Sequence, residues 1–183
     1  MRVNAKLRLL LISVIAFFAI ILLQSTSMAA TITVNGTLDY TKAQEVLNLV
    51  NAERKKEGLS SLTMDTELLE VAMQRAAEIG VYFDHTRPDG TSCFTASSKM
   101  YGENIAIYQS TAASVMNSWM NSTGHRENIL RKGFQSIGIG CIKIDGGYYW
   151  VQCFSYEAVD KKSTKTGTES ASKTVSVSSD KLN

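Results

Sequence analysis

Positions 101–106 of the chain read YGENIA and place Glu103 between a glycine and an asparagine. The chain has two histidines, and they lie on either side of this stretch, in FDHTRPDG at positions 83–90 and in WMNSTGHRENIL at positions 119–130. Histidine titrates near neutral pH and is the commonest metal ligand. Because His85 and His125 both lie in dense motifs, we expect them to share one site with Glu103.

Each motif also has a purely structural interpretation. RPDG at positions 87–90 is a turn with proline second and glycine fourth, and it would fix the backbone that presents His85. Glu103 could be a solvated surface charge, and His125 could cap a helix that begins after Gly124. The separations of 18 and 22 residues between the three side chains match no short zinc motif. Spacing alone therefore does not show that they meet.

Three amphipathic helices are predicted from apolar residues at i, i+3, i+4 and i+7 spacing. The first begins with TKAQ at positions 41–44, which fits a capping box, and stops at Gly58. The second covers residues 65–80, and the third follows Thr111. A short further helical turn is expected over residues 126–130.

Two β-rich runs at residues 137–144 and 148–156 flank DGG at positions 145–147, which predicts a hairpin. Cys141 and Cys153 are equidistant from the last glycine of DGG. A hairpin centred there would place them opposite each other on one face. In an exported protein this arrangement predicts a disulfide.

Further strands are predicted near residues 82–86 and 105–108, which completes a small antiparallel sheet in an α+β fold. Asn35-Gly36 marks a turn before the first helix.

The predicted disulfide between Cys141 and Cys153 leaves Cys93 as the odd thiol. It is expected to be either buried or available to an intermolecular partner.

The first 30 residues have the composition of a secretory signal peptide. A start with three bases precedes an apolar run over residues 9–23, which falls short of the ~20 residues that span a bilayer. Small residues follow, so cleavage is expected near Ala29-Ala30 and the protein is predicted to be secreted. Removing this segment changes the formal charge from +2 to −1, so the charge gives no reason to expect nucleic acid as a partner.

Residues 158–183 are rich in Ser, Thr and Lys and contain few large apolar side chains. Such a segment is expected to be a disordered tail, because it cannot bury enough apolar surface to offset its ordering entropy. Residues 31–37 are predicted to be a short N-terminal extension. Residues 38–157 remain as one domain with a single core.

The three motifs, in this order and after two such helices, resemble the CAP superfamily (cysteine-rich secretory, antigen 5, pathogenesis-related 1), also called the SCP domain. GHRENIL at positions 124–130, with RPDG upstream, is similar to the bacterial branch. The resemblance covers residues 42–157. It implies an α-β-α sandwich with a three- to four-stranded antiparallel sheet flanked by helices.

The resemblance also implies a central cleft with two His and two Glu, which bind zinc or another divalent cation in some members. His85, Glu103 and His125 match three of the four, and we expect Asn104 to line the cleft with them. In the animal and plant branches the second Glu lies three residues after a helix-3 tryptophan. This chain has Ser122 at that position, and Ser122 is included among the cleft residues.

A reduced metal site is still chemically feasible. Two imidazoles, one carboxylate and a water can hold zinc in four-coordinate geometry at roughly 2.0–2.2 Å. The expected ligands are His85, His125 and Glu103, with Glu127 or Asp84 as alternatives for the missing carboxylate. Because one negative charge is lost, the affinity for zinc should be lower than in the complete tetrad.

Two functional classes follow from these residues. The first is a secreted recognition module that binds a small lipid, a peptide or a cell-wall-derived ligand and associates with the envelope. The second is an extracellular hydrolase with Ser122 as nucleophile, His125 as base and Glu103 as orienting acid, or with a metal-activated water. Ser122 lies on no strand-to-helix elbow that the sequence reveals, so the non-catalytic module is the favoured hypothesis.

Overall fold

A six-stranded sheet organises residues 29–182, the part of the chain that the computed structural model describes. Its main path runs β3-β5-β4-β1-β6, and β2 pairs in parallel with β4. The strands are β1 Ala30–Asp39, β2 Thr63–Met64, β3 Gly102–Ile107, β4 Ser136–Ile144, β5 Gly147–Ser155 and β6 Thr168–Val177. The prediction of three to four strands was therefore too small.

Four α-helices accompany the sheet in this described region, and they include the three predicted amphipathic helices. Their bounds are α1 Tyr40–Lys56, α2 Thr66–Val81, α3 Ala112–Met120 and α4 Thr123–Ile129. The predicted capping box at Thr41 is wrong, because the side chain of Asp39 accepts the hydrogen bond from the Lys42 N–H instead. Gly58 follows the first helix with a φ of +67°, as a helix stop requires.

The helices lie on both faces of the sheet. On one face α2 packs directly on β4, because a Cβ at Gly138 or Gly140 would overlap the α2 backbone. On the other face, Lys42 of α1 lies 5.1 Å from the ring centroid of Tyr148. Tyr148 pairs with Lys143 of β4, which is an odd number of residues from both glycines, so its side chain points to the face opposite α2. This arrangement is the α-β-α layering that the resemblance implied.

The predicted disulfide is wrong, because the hairpin has a different centre. Its turn consists of Asp145 and Gly146, both with positive φ, as a tight two-residue hairpin requires. Cys141 consequently pairs with Trp150, three residues away from Cys153. An odd separation along a strand puts two side chains on opposite faces. Both thiols are free and buried, as is the third cysteine.

The predicted disordered tail is also wrong, because β6 pairs with β1 along all ten residues of each strand. Val175 and Val177 alternate with polar residues and are buried in the core, so the few apolar residues of the tail are enough to attach it. The predicted N-terminal extension and the predicted turn at Asn35-Gly36 both lie inside β1.

Two other predictions concern residues 82–86 and the N-terminal segment. The strand near residues 82–86 is absent, since this segment forms bends and one isolated bridge. The predicted signal peptide lies almost wholly outside the described residues. Within residues 29–182 no helix is both long and apolar enough to cross a membrane.

Candidate functional site

The edge strand β3 distributes the YGENIA motif between the two faces of the sheet. Glu103 pairs with Cys153 and so points towards the face that α2 covers, whereas Asn104 pairs with Gln152 and points to the opposite face. Two neighbouring residues of this edge strand can therefore contact the helices of two different layers.

The carboxylate of Glu103 is buried and held by two partners. Arg75 of α2 donates from Nε to Oε1 at 2.8 Å and from Nη2 to Oε2 at 3.3 Å. Nδ1 of His85 lies 2.8 Å from Oε2. The side chains of Arg75 and Glu103 are 0% and 1% exposed, against 55% for His85. A buried acid thus fixes an imidazole that faces solvent.

A second carboxylate extends this network to the RPDG turn. Glu78 accepts from Arg75 at 2.8 Å and from Arg87 at 2.6 and 3.0 Å. Burial on its own would raise the pKa of Glu78, but the hydrogen bonds from Arg87 and Arg75 outweigh it and lower that pKa. The turn that presents His85 is therefore anchored by buried charge.

The RPDG turn places Cys93 beside His85. Gly90 donates to the Arg87 carbonyl, which confirms the predicted turn, and Cys93 donates from its backbone N–H to the His85 carbonyl at 3.0 Å. Residues 85 and 93 thus oppose each other across the turn, with side chains on one side. Hydrogen bonding to Cys93 and to Glu103 raises the pKa of His85 to about 10.

The segment predicted to be a tail braces the same loop. Ser178, directly after β6, donates to the Pro88 carbonyl from its backbone N–H at 2.9 Å and from its hydroxyl at 3.1 Å. Lys181 donates to the hydroxyl of Tyr82 at 3.0 Å, and its ammonium lies 4.3 Å from the centroid of that ring. We name residues 178–182 the C-terminal brace.

His125 is held in a different way, through the backbone of α4. Asn104 is fully buried and donates to the His125 carbonyl at 3.0 Å. Asn128 donates to Oδ1 of Asn104 and to the Glu103 carbonyl, which ties α4 to the edge of β3. Burial lowers the pKa of His125, and the nearby charge of His85 lowers it further. Asn104 is thus a buried support, whereas the sequence suggested that it lines the cleft.

The predicted Ser122, His125 and Glu103 triad is not assembled. Ser122 is the N-cap of α4, and its hydroxyl makes no capping hydrogen bond. Within residues 29–182, the side-chain partners of the Glu103 carboxylate are Arg75 and His85. The acid therefore orients the other histidine.

The group of donor atoms closest to a metal site differs from the predicted set. Among the described residues, one group of three His, Cys, Asp or Glu side chains has donor atoms within 4.8 Å of one another, namely His85, Cys93 and Glu103. His125 lies outside it, as do both alternative carboxylates. Imidazole, thiolate and carboxylate are all zinc ligands, so this set suits zinc in kind.

Comparison with known proteins agrees with the motifs. The model of the cysteine-rich secretory protein family, CAP, matches residues 47–154. The chain belongs to the CAP family. It is 40% identical over 119 residues to the uncharacterized protein YkwD of Bacillus subtilis, with 61% of this chain and 46% of that protein covered. It is 29% identical over 120 residues to the uncharacterized membrane protein YlbC of the same species, covering 61% and 34%. The chain thus spans less than half the length of these two relatives.

Solved structures show the same CAP fold. An extracellular protein containing an SCP domain from Bacillus anthracis aligns with a TM-score of 0.58 at 26% identity, over 65% of this chain and 41% of that one. An outer surface protein of Borrelia burgdorferi aligns with a TM-score of 0.54 at 23% identity, over 70% and 98%. The first of these is an extracellular homologue, and the second supports the fold alone.

Several residues of this CAP site were not singled out from the sequence. Arg75 and Glu78 lie three residues apart on a helix that is otherwise largely apolar, which is a usable signal for a buried ion pair. Counting outwards from the RPDG turn would pair His85 with Ser92, whereas the structure pairs Thr86 with Ser92, so the sequence contained no direct signal for Cys93. Gln152, which accepts from Asn104 at 2.9 Å, gave no signal of its own in the sequence.

Proposed function

We propose that the CAP domain of this chain is a secreted, non-catalytic recognition module that binds an amphiphilic ligand at the His85 loop. One observation carries the proposal: the buried Glu103 and Arg75 fix an exposed imidazole, and within residues 29–182 no serine hydroxyl is bonded to it. This arrangement is suited to holding a ligand group, because the acid orients the imidazole as a donor and no serine nucleophile is bonded to the ring among the described residues.

Two exposed aromatic side chains lie near His85 and Cys93 along the chain. Phe83 and Phe94 are each 49% exposed, and they lie within two residues of His85 and directly after Cys93, respectively. Large exposed apolar side chains next to oriented polar groups are typical of binding sites. A ligand with an apolar chain and an anionic head, such as a fatty acid or an acylated wall fragment, fits this combination.

A direct test uses the protein from residue 30 onwards and a dansyl-labelled fatty acid as the probe. Saturable fluorescence enhancement is expected, and His85→Ala combined with Phe83→Ala and Phe94→Ala should weaken it at least tenfold. Tyr108→Asn, which removes another exposed ring at a position of positive φ, is the matched control and should leave binding unchanged. Equal binding by all variants, or none by the wild type, would contradict the proposal.

A labelling experiment distinguishes the recognition module from the hydrolase hypothesis. A serine-directed fluorophosphonate should leave the wild-type protein unlabelled, because Ser122 has neither His125 nor Glu103 arranged as its base and acid. Labelling that disappears in Ser122→Ala would establish the enzyme and reject the recognition module.

A further inference from the structure

Cys93 is a nucleophilic side chain that ligand recognition does not use. It is 3% exposed, and the imidazole of His85 beside it faces solvent. Both residues belong to the short ladder closed by the RPDG turn, in which Thr86 also bridges to Ser92. The turn therefore places a buried thiol directly beside an exposed imidazole. An ion from solution can reach the thiol from the side of His85.

We propose that Cys93, His85 and Glu103 form a site for a thiophilic divalent cation such as zinc, in which the Cys93 thiolate replaces the carboxylate that the chain lacks at Ser122. The donor atoms already lie within 4.8 Å of one another. Zinc bonds of about 2.0–2.3 Å bring tetrahedral donors to roughly 3–4 Å apart. Closing the site thus needs side-chain shifts of about 1 Å.

The charge at the site favours a ligand set that includes the thiol. The buried network around Glu103 contains two guanidinium groups and two carboxylates, which balance each other. A divalent cation bound only by the two histidines and Glu103 would add two positive charges and no new negative charge. A coordinating thiol loses its proton, so Cys93 brings a negative charge directly to the ion. Three protein ligands leave a fourth position open for water or an anionic group.

The test is a titration of the metal-free protein with Co²⁺, which replaces zinc and reports its ligands. The wild type is expected to develop a near-ultraviolet thiolate-to-cobalt charge-transfer band, and excess zinc should abolish it. Cys93→Ser should eliminate the band and weaken cobalt binding at least tenfold. Cys141→Ala, which changes another buried thiol outside the group, should leave both unchanged.

Two further variants keep the result decisive if Cys93→Ser folds poorly. His85→Gln retains the thiol and should weaken cobalt binding, whereas His125→Ala should leave the band in place. Loss of cobalt binding in His125→Ala, a wild-type complex without the band, or no cobalt binding would each overturn the inference. Repeating the fatty-acid titration with chelator present separates the two proposals, because ligand binding without metal would leave the proposed function intact.

Discussion

His85 and His125 approach the same edge of the sheet from opposite layers, and different forces hold them. His85 is bonded through its ring to a buried carboxylate that a buried guanidinium neutralises. His125 is held through its backbone carbonyl by Asn104, in a network of neutral amides. One histidine therefore has a fixed and charged ring, whereas the other has a fixed backbone and a ring whose pKa is lowered.

The contrast shows how one strand, β3, can hold two histidines by two different kinds of interaction. Successive residues of β3 face opposite layers, so Glu103 works through charge and Asn104 through amide hydrogen bonds. Charged networks respond to pH and to loss of a partner more strongly than neutral ones do, because an unpaired buried charge is very unfavourable. The following experiments test this division.

The largest effect is expected for Arg75→Met, which leaves two buried carboxylates without their shared cation. Breaking a buried ion pair from one side costs about 3–5 kcal/mol, so the midpoint of urea unfolding should fall strongly. The control is Arg126→Met, whose pair with Glu57 is exposed and should contribute less than about 1 kcal/mol. Equal effects of the two substitutions would show that the His85 network is not a buried charge cluster.

A smaller effect is expected for Asn128→Ala on the His125 side. It removes the hydrogen bonds to the Glu103 carbonyl and to Asn104, and leaving buried acceptors unpaired costs about 1–3 kcal/mol. Urea unfolding measures the loss, which should be nearly independent of pH between pH 5 and 8. Asn121→Ala, which removes only contacts within the same helix to Asn117, is the control.

The pKa values of the histidines give a direct spectroscopic comparison. Titration followed by NMR should show His125 changing charge below 6.5 and His85 near 10. Because the pKa of His85 is raised on folding, its contribution to stability is present below pH 6.5 and lost as the pH rises through about 10. Titration of both rings together near 6.5 would remove the distinction between them.

Acid should act on the same network from the other direction. The pKa of Glu78 is lowered on folding from its ordinary value of 4.5, so its contribution is present above that pH and lost as the pH falls below it. The free energy of unfolding should therefore decrease below pH 4.5. Glu78→Gln should flatten this dependence, and an unchanged acid slope in that variant would argue against Glu78 as a source.

The smallest effect on stability is expected from deleting the C-terminal brace, residues 178–182 with Asn183. The β6 strand remains, but the loop loses its bonds to the Pro88 carbonyl and to Tyr82. Amide hydrogen exchange should quicken over residues 84–91 and stay unchanged over residues 123–129 around His125. Equal protection of the His85 loop with and without the brace would show that it does not depend on these contacts.

Local patterns predicted much of this fold. The second and third helices, the stop at Gly58 and the RPDG turn are encoded in residues close together in sequence, so periodicity and turn chemistry were sufficient. The hairpin register failed because the turn is two residues long, which shifted Cys141 out of line with Cys153. The strand β6 was missed because its alternating valines are weak evidence without knowledge of a partner strand.

The amino-acid sequence by itself determined the family and named His85, Glu103 and His125, because these residues lie in contiguous motifs whose order is characteristic. Only the tertiary structure decided their partners. Arg75 reaches Glu103 from a helix 28 positions earlier, and β6 joins β1 across more than a hundred residues. Such contacts depend on how the layers pack, and no local spacing in the chain records that packing.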